Sequence, residues 1–557
     1  MNNSIIIDFH NKKSEEEILS SPIFLEVIDQ FLEKIRFSNK NLFYQLTQTF
    51  GENSCSSGLM SFSKKLTTTP YKELIDEYLP LTNSKENVLN VIDGFYDTWR
   101  NKERYGYIIK SSDISSKKFI NRTEKFAQLI LNVYRDAYEN VLGGEQEVYR
   151  QLPSGINAGF ILSSQKYNLP SCLDFLNKTK KVDSLLIRPP FICSSKENTR
   201  VGTFFYKDNK LQESEYNEDD YFSVCILVKN ELGYIFVHKD YLSFLVALGN
   251  LFHIVSFSKV KNMKPSFIVV FGANKKEELT YYYKQEGIYV GICPLEGKIG
   301  YFGYLKKIIL TLFNLTMIEQ GKLPIHGAGI EIVMHNHKTF NIVILGDSGA
   351  GKSETMEALK ELGSDKIKSI STIFDDMGTF SFRDNLVVTS GTEIGAFVRL
   401  DDLPNGYSLS SVDRAIYINI DQVNSRVVIP IETYEFSKSL HKVDIFLLAD
   451  NFTENKNGII RYLDEEEAKE EFKKGERVAK GTTSEKGKVS SFFANPFGPV
   501  QKKESCSTLI DSYFSSLYKE KVFVGRLYTK LALDPINGPK IGAKAVLDLL
   551  IKLSEEN

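Results

Sequence analysis

An eight-residue glycine-rich segment, Gly346 to Ser353, carries the clearest chemistry in the sequence. It reads GDSGAGKS and matches the pattern G-x-x-x-x-G-K-[ST] in full. Glycines let successive backbone N–H groups point inward around an anion, and a helix N-terminus adds the positive end of its dipole. The amine of Lys352 can then reach the β- and γ-phosphate oxygens, and the hydroxyl of Ser353 can ligate Mg²⁺.

This loop therefore predicts a phosphate site that takes ATP, GTP or pyrophosphate together with Mg²⁺. The predicted cofactor-binding residues in and beside the loop are Gly346, Asp347, Ser348, Gly349, Ala350, Gly351, Lys352, Ser353 and Glu354.

Carboxylates and a histidine flank the loop in the sequence. Asp375 and Asp376 end a short apolar run in STIFDDMGTF, and a strand end with carboxylates beside a phosphate loop is where Mg²⁺ and an attacking group are positioned. His326 precedes the apolar run that leads towards the loop, and it is a candidate metal ligand or base. The alternatives are an ordinary turn for the two aspartates and a structural role for the histidine. His335 and His337 lie at a predicted turn, where we expect them to be solvated.

The phosphate loop needs a strand before it and a helix after it, and the sequence predicts both. Residues 341–345 form a short apolar run, as expected for a strand buried on both faces. From residue 354 apolar residues recur at helical spacing until Gly363, a typical helix stop. Residues 329–333 and 340–345 are joined by a short polar turn, which predicts an antiparallel pair. We therefore predict an α/β fold with a mixed sheet and not an all-parallel one.

Composition narrows the classes of partner and compartment. The chain has 557 residues and a formal net charge of −2, and its basic residues are dispersed, so we predict neither a nucleic-acid nor a membrane partner. The six cysteines include no CxxC pair, which fits a reducing compartment and argues against a zinc site. The N-terminus lacks a secretory apolar region, and the apolar stretch 241–255 is too short and too interrupted to span a bilayer. We therefore predict a cytoplasmic location.

Three regions of different character divide the chain. Residues 1–155 are predicted to be helical, with a long helix over 119–142 that ends at Gly143. Residues 156–310 contain short β-rich runs and predict a mixed α/β domain. Residues 311–557 are predicted to form the phosphate-loop catalytic domain. The N-terminal helices are a candidate surface for a protein partner.

Several motifs resemble known families. HGAGIEI, the octad followed by Glu354, and FDD resemble the core of HPr kinase/phosphorylase. A longer collinear resemblance, from about Glu296 to the end with gaps, is to phosphoenolpyruvate carboxykinase, which has a related phosphate-loop fold. LPIHGAG resembles that family's LPMHCSAN, GTEIGAFVRL its EGGCYAK, and NSRVVIP its NTRxxYP. VDIFLLADN, DEEEAKEEFKKGERVAKGT and FFANPFGP then follow the order of that family's later segments.

The carboxykinase resemblance implies a reaction and a set of roles. Decarboxylation of oxaloacetate would give an enolate whose oxygen takes the γ-phosphoryl group, so that oxaloacetate and a nucleoside triphosphate yield phosphoenolpyruvate, nucleoside diphosphate and CO₂. Arg399 takes the place of a nucleotide-binding lysine, and Arg426 that of the arginine bridging the transferred phosphoryl group. The implied metal ligands are Ser353, Asp376 and His326. The implied catalytic residues are Lys352, Arg426, Asp375, His326 and Lys298.

The sequence also departs from that family. Its GEMKKG segment supplies a lysine ligand for Mn²⁺, whereas LEGKIGYFG places Lys298 at the first lysine and Ile299 at the second. Isoleucine cannot bind a metal, so we predict activity with Mg²⁺ alone and little stimulation by Mn²⁺. The oxaloacetate-binding TGRSPKDKF loop is missing from the sequence, and Arg188 and Arg200 are the candidate substitutes.

Two other functions stay open. The first is a kinase similar to HPr kinase that phosphorylates a protein serine or a small hydroxyl compound, with Asp375, Asp376 or His326 as the base. The second is a non-catalytic nucleotide-binding sensor that binds a partner through the N-terminal helices.

Overall fold

The fold is that of a computed structural model, which describes residues 4–11, 13–111, 115–144, 148, 152–195, 197, 204–347, 349–400, 403, 412–420, 422, 424–479 and 487–556. The chain forms two compact units. The N-terminal unit comprises residues 1–164 and 184–188, and the C-terminal unit comprises residues 165–183 and 189–557. Most of the predicted region 156–310 and all of the predicted region 311–557 therefore belong to the C-terminal unit.

The N-terminal unit combines helices with a small parallel sheet. Its helices are α1 (Glu15–Leu19), α2 (Pro22–Ser38), α3 (Lys40–Phe50), α4 (Cys55–Thr68), α5 (Tyr71–Leu74), α6 (Lys85–Arg100) and α7 (Ser116–Leu142). Its strands are β1 (Ser4–Asp8), β2 (Glu103–Ile109) and β3 (Ala158–Ser163), and β2 pairs in parallel with both of the others. The predicted helix over 119–142 is confirmed as α7, and Gly143 ends it in the left-handed conformation with φ of +79°.

The prediction of a helical region over residues 1–155 is wrong at β1 and β2. Both strands are short apolar runs, SIIID and ERYGYII, and runs of this length do not show a period that separates strand from helix. Their pairing with each other joins segments about a hundred residues apart in sequence. Only the tertiary fold could supply those partners.

The C-terminal unit begins with a mixed sheet in the order β4-β7-β8-β10-β12-β11-β6, with β9 beside β7. Its strands are β4 (Lys180–Ile187, divided between the two units), β6 (Phe205–Tyr206), β7 (Tyr221–Val228), β8 (Glu231–His238), β9 (His253–Ile254), β10 (Phe267–Ala273), β11 (Tyr281–Gln285) and β12 (Ile288–Pro294). The helices in this part of the chain are α8 (Leu242–Leu251), α9 (Phe257–Val260) and α10 (Phe302–Glu319). No helix among the described residues is long and apolar enough to cross a membrane.

A second mixed sheet carries the phosphate loop, in the order β21-β17-β16-β13-β14-β22-β26-β23, with β15 beside β13. Its strands are β13 (Leu323–Met334), β14 (Thr339–Leu345), β15 (Ile367–Phe374), β16 (Met377–Arg383), β17 (Leu386–Gly391), β21 (His441–Lys442), β22 (Ile445–Asp450), β23 (Ile459–Arg461) and β26 (Phe523–Tyr528). Its helices are α11 (Lys352–Leu362), α12 (Tyr434–Lys438), α13 (Glu465–Lys474), α14 (Lys503–Lys519) and α15 (Gly538–Glu556).

The predicted hairpin before the loop is confirmed. β13 and β14 pair antiparallel from Gly327 opposite Leu345 to Val333 opposite Thr339, and β14 pairs in parallel with β22 on its other side. The sheet is therefore mixed, as the sequence predicts.

Strand β14 is apolar on both faces because it lies between two cores. Val343 and Leu345 belong to one core with residues of α13 and α14. Ile342 and Ile344 belong to the opposite core with residues of α11 and α15. A strand covered by helices on both faces needs a continuous apolar run, which is what residues 342–345 provide.

Two smaller sheets complete the C-terminal unit. One has the order β18-β20-β19-β5, formed by β18 (Gly395–Arg399), β20 (Arg426–Pro430), β19 (Ile416–Ile418) and β5 (Phe191–Cys193). The other is the hairpin of β24 (Glu476–Val478) and β25 (Lys488–Ser490). The first of these sheets carries Arg399 and Arg426, and the second carries Arg477.

Candidate active site

The phosphate loop joins the end of β14 to the start of α11. The Gly346 N–H donates to the His326 carbonyl at 2.9 Å, which ties the loop to the neighbouring strand. Gly349 and Gly351 have φ of +79° and +86°, a conformation that favours glycine. A Cβ added at Gly351 would lie 2.5 Å from the Thr529 hydroxyl oxygen, so this position has no room for a side chain. Strand, loop and helix thus occur in the order that the motif requires.

Side chains of the residues that directly follow β22 and β26 hold the loop from behind. Asn451 donates to the Gly349 carbonyl at 2.9 Å, and Thr529 donates to the Ala350 carbonyl at 2.7 Å. Ala350 is fully buried. Ser348 lies outside the described residues. The carbonyls of Gly349 and Ala350 therefore point towards the protein, while the N–H groups of Gly346 and Ala350 already donate to the His326 and Asp347 carbonyls.

Lys352 is folded back onto the loop. Its amine donates to the carbonyl oxygens of Gly346 at 2.6 Å and Asp347 at 3.1 Å, and the residue is only 7% exposed. Burial lowers the pKa of this lysine, although nearby carboxylates act in the opposite direction. To bind phosphate, the amine would exchange these carbonyl contacts for phosphate oxygens.

The next two residues of α11 lie nearer the surface. Ser353 is exposed at the second position of the helix, and Glu354 is half-buried. A hydroxyl in the first turn of a helix that follows a phosphate loop is placed as the motif requires for a metal ligand.

His326 lies fully buried at the base of the loop. Its Nδ1 is 2.9 Å from the Ala494 carbonyl oxygen, and its Nε2 is 3.0 Å from Asp376 Oδ1 and 3.5 Å from Asp347 Oδ1. A carbonyl only accepts hydrogen bonds, so Nδ1 carries a proton and donates to Ala494. Burial lowers the pKa of this imidazole, which favours its neutral form. The lone pair of Nε2 then faces two carboxylates.

Two lysines of α10 meet the same aspartate. The Lys306 amine is 2.8 Å from Asp376 Oδ2, and the Lys307 amine is 2.5 Å from the same oxygen. Burial alone would raise the pKa of Asp376, but the charges of these two lysines hold it well below its usual range. Asp376 is therefore ionised.

The pKa values of the two lysines are shifted in opposite directions. Burial opposes the charged form of both, but the carboxylates of Asp376 and Glu393 raise the pKa of Lys306 above its usual value. For Lys307 burial prevails and its pKa is lowered. Lys306 is the fixed cation, and Lys307 is the amine that more easily becomes neutral.

The assignment of a catalytic role to Lys298 is not supported by these contacts. Lys298 is exposed in the turn after β12 and makes no ion pair among the described residues, whereas Ile299 is buried. The lysine pair in YLKKIIL, at 306–307, contacts Asp376 instead. The inference that an amine is missing beside His326 and Asp376 is therefore wrong, because α10 carries the lysines one turn into the helix. The KK pair before LPIHG was the sequence signal that could have revealed this.

Glu393 completes the buried charge network. Its Oε1 is 2.7 Å from the Lys306 amine, and its Oε2 has no hydrogen-bond partner among the described residues. Burial raises the pKa of Glu393 to about 7, although Lys306 acts in the opposite direction. The sequence analysis did not select Glu393, although it stands at the glutamate of the EGGCYAK motif when Arg399 is placed at the lysine, and that position was the available signal.

Asp347 and Asp375 are two further carboxylates at the site. Arg477 of β24 contacts Asp347 Oδ2 through Nε at 3.0 Å and Nη2 at 2.6 Å, so one oxygen accepts two hydrogen bonds. Asp375 is partly exposed next to Asp376. Burial, and secondarily the charge of Asp376, raises the pKa of Asp375, which makes it a stronger base than an ordinary aspartate.

The small sheet of β18 and β20 brings two predicted arginines together. Arg399 and Arg426 are directly opposite each other in the antiparallel pair. The Arg426 guanidinium lies 5.6 Å from the Phe397 ring centre, and the Lys306 amine lies 6.0 Å from the same ring. The two arginines are therefore cross-strand neighbours near Lys306.

The side chains around His326 include nitrogen and oxygen donors of the types that transition metals bind. The described residues contain no group of three or more histidine, cysteine and carboxylate side chains arranged for a metal. The donors here are an imidazole, a carboxylate and the amine of Lys307. Metal-bound histidines usually donate their other ring N–H to a carbonyl or carboxylate, as His326 does to Ala494. A cation between Nε2 and Asp376 would relieve their facing lone pairs.

The arginines nominated for a carboxylate substrate are not brought to this site by any described contact. Arg188 donates to the Thr123 hydroxyl at 2.8 Å and lies 3.8 Å from Glu124, both within the N-terminal unit. Arg200 lies outside the described residues.

No protein-family model matches the chain, and no curated protein matches it in sequence. The family resemblances therefore rest on the sequence motifs alone.

Proposed function

We propose that the protein is a phosphotransferase that depends on a nucleotide and a divalent metal, and that it acts as a phosphoenolpyruvate carboxykinase-like enzyme. Its substrates would be oxaloacetate and a nucleoside triphosphate. The observation that carries this proposal is the cluster of His326, Asp376, Lys306 and Lys307 at the base of a complete phosphate loop.

The loop residues would hold the phosphate chain. Backbone N–H groups between Gly349 and Lys352 and the start of α11 favour negative charge. The Lys352 amine would bind the β- and γ-phosphate oxygens, and Ser353 with Asp376 would hold Mg²⁺ through hard oxygen atoms. Mg²⁺ bound there would neutralise charge on the phosphates.

A second metal is supported by the donors around His326. His326, Asp376 and Lys307 would hold Mn²⁺, since nitrogen donors favour a transition metal over Mg²⁺. Lys307 must be neutral to act as a ligand, and its lowered pKa makes that less costly. Bound Mn²⁺ would supply a Lewis acid for an enolate oxygen.

The cationic side chains would stabilise the phosphoryl group in transfer. Lys306 keeps its charge, and Arg399 and Arg426 lie opposite each other on the adjacent sheet. Fixed cations placed where charge develops lower the barrier without reorganisation.

A second candidate function is a kinase for a hydroxyl acceptor, similar to HPr kinase. The observation that favours it is Asp375, whose raised pKa suits a base that takes a hydroxyl proton. A carboxykinase needs no such base, because the enolate already carries the charge that attacks phosphorus.

One assay separates these functions. Purified full-length protein is incubated with oxaloacetate, Mg²⁺ and Mn²⁺, and with ATP, GTP or pyrophosphate in parallel, and phosphoenolpyruvate is quantified. Formation of phosphoenolpyruvate that requires the phosphate donor supports the first proposal. Phosphorylation of serine peptides or small alcohols without phosphoenolpyruvate supports the second. Nucleotide binding without any transfer would contradict both and favour a sensor.

A further inference from the structure

An apolar cavity lies inside the N-terminal unit, and phosphotransfer makes no use of it. Its volume is about 140 Å³. For comparison, a cavity of about 150 Å³ lined by leucine, isoleucine and phenylalanine stays dry and binds benzene. The cavity is therefore large enough for one aromatic ring.

Aromatic side chains form much of the wall. Their polar atoms are bound elsewhere: the Trp99 indole N–H donates to the Ser154 carbonyl at 2.7 Å, and the Tyr134 hydroxyl donates to Asp93 at 2.8 Å. The rings thus present carbon to the cavity. The aromatic residues of the wall are Phe24, Phe95, Tyr96, Trp99, Phe126 and Tyr134.

The polar residues of the wall mark its opening. Lys13 and Glu17 line the cavity and are exposed, so the cavity reaches solvent beside α1. Glu17 and Ser21 are committed to capping α1 and α2, respectively. Ser63, the remaining polar wall residue, donates to the Leu59 carbonyl of its own helix. Among the described residues, the interior therefore has no charged group to pair with a charged ligand.

We propose that this cavity binds a small uncharged molecule with a single aromatic ring. Aromatic pairs prefer edge-to-face or offset contacts, and rings from α2, α6 and α7 surround the space for such contacts. Pockets of this kind, apolar and preformed, are the usual form of small-molecule sites.

The test uses a natural reporter. Trp99 is the single tryptophan of the 557-residue chain and lines the cavity. Bromobenzene, a heavy-atom quencher with one ring, is titrated into full-length protein while Trp99 emission is recorded. We expect a saturable loss of emission, and recovery when toluene, which does not quench in this way, displaces the probe. A purely linear loss, as for collisions in solution, would overturn the proposal.

Substitutions locate the binding. Ala137 of α7 is buried and lines the cavity, so Ala137→Leu should fill it and abolish the saturable component. Asp136→Leu is the matched control, because the neighbouring Asp136 is exposed and does not line the cavity. Ser63→Leu fills the cavity from α4 and serves if Ala137→Leu does not fold. Saturable quenching that persists in a folded filling variant, or that is lost in Asp136→Leu, would also overturn the proposal.

Discussion

The pKa of Glu393 leads to a quantitative prediction for the substitution Glu393→Gln. Burial raises this pKa from its ordinary 4.5 to about 7, and the attraction of Lys306 is already included in that result. Because the folded-state value is the higher one, the protonated carboxyl contributes stability. That contribution is complete below about pH 4.5 and is lost as the pH rises through about 7.

The size of the effect follows from the same two values. At about 1.4 kcal/mol per pH unit, the difference between 4.5 and about 7 amounts to about 3 kcal/mol, most of it lost between pH 5 and pH 8. Glutamine has the shape of the protonated carboxyl and does not ionise. Glu393→Gln should therefore avoid this loss and be more stable than the wild type at pH 8 by about 2–3 kcal/mol.

The assay is urea unfolding of metal-free protein at several pH values, followed by circular dichroism. Trp99 emission reports the N-terminal unit separately and should not differ between wild type and variant. Glu361→Gln, at an exposed position of α11, is the control substitution. If Glu393→Gln and wild type lose stability in parallel, the carboxyl is not held neutral by burial. If the variant is less stable at pH 8, the ionised Glu393–Lys306 pair is net stabilising and the reasoning is refuted.

Three further predictions concern the phosphate loop and the metals. Lys352→Ala should reduce phosphoryl transfer by about 10²-fold or more, because a charge fixed on the phosphate oxygens is lost. The control Lys360→Ala, on the same helix, should leave transfer unchanged. Full transfer activity in Lys352→Ala would exclude a catalytic role for the loop. Lys352 also donates to two loop carbonyls, so Lys352→Ala should slightly reduce the stability of the protein. A lysine that only pointed into a cleft could be replaced without such a loss. Lys307→Met should weaken Mn²⁺ binding, measured by electron paramagnetic resonance, and Lys298→Met should not; the reverse result would restore Lys298 as the ligand. Arg477→Leu should weaken nucleotide binding, measured by calorimetry, because the loop residue Asp347 loses its partner. Arg477→Lys should have nearly the same weak affinity, since an ammonium cannot reproduce the paired N–H groups of arginine. Unchanged affinity in both variants would contradict this role.

Local patterns in the sequence predicted the frame of the site. The hairpin of β13 and β14, the phosphate loop and the start of α11 follow one another along the chain, and their hydrogen bonds join near neighbours. Glycine positions, apolar runs and helical spacing encode such structure directly. The pairing of His326 with Asp376 was also within reach, since both border the loop motif.

Only the tertiary structure decided which charges meet at the loop. Lys306 and Lys307 reach Asp376 across about seventy residues, and Arg477 reaches Asp347 across 130 residues. The motif comparison selected Lys298, which lies in the turn between β12 and α10. It could not show that this turn is long enough to place the contacting lysines inside α10 instead. The sequence could place Glu393 in a motif but could not show its raised pKa, which comes from burial and is opposed by the charge of Lys306. Both effects exist only once α10 packs against the strands. Charge interactions depend on distance and on exclusion of water, and both are properties of packing between distant segments.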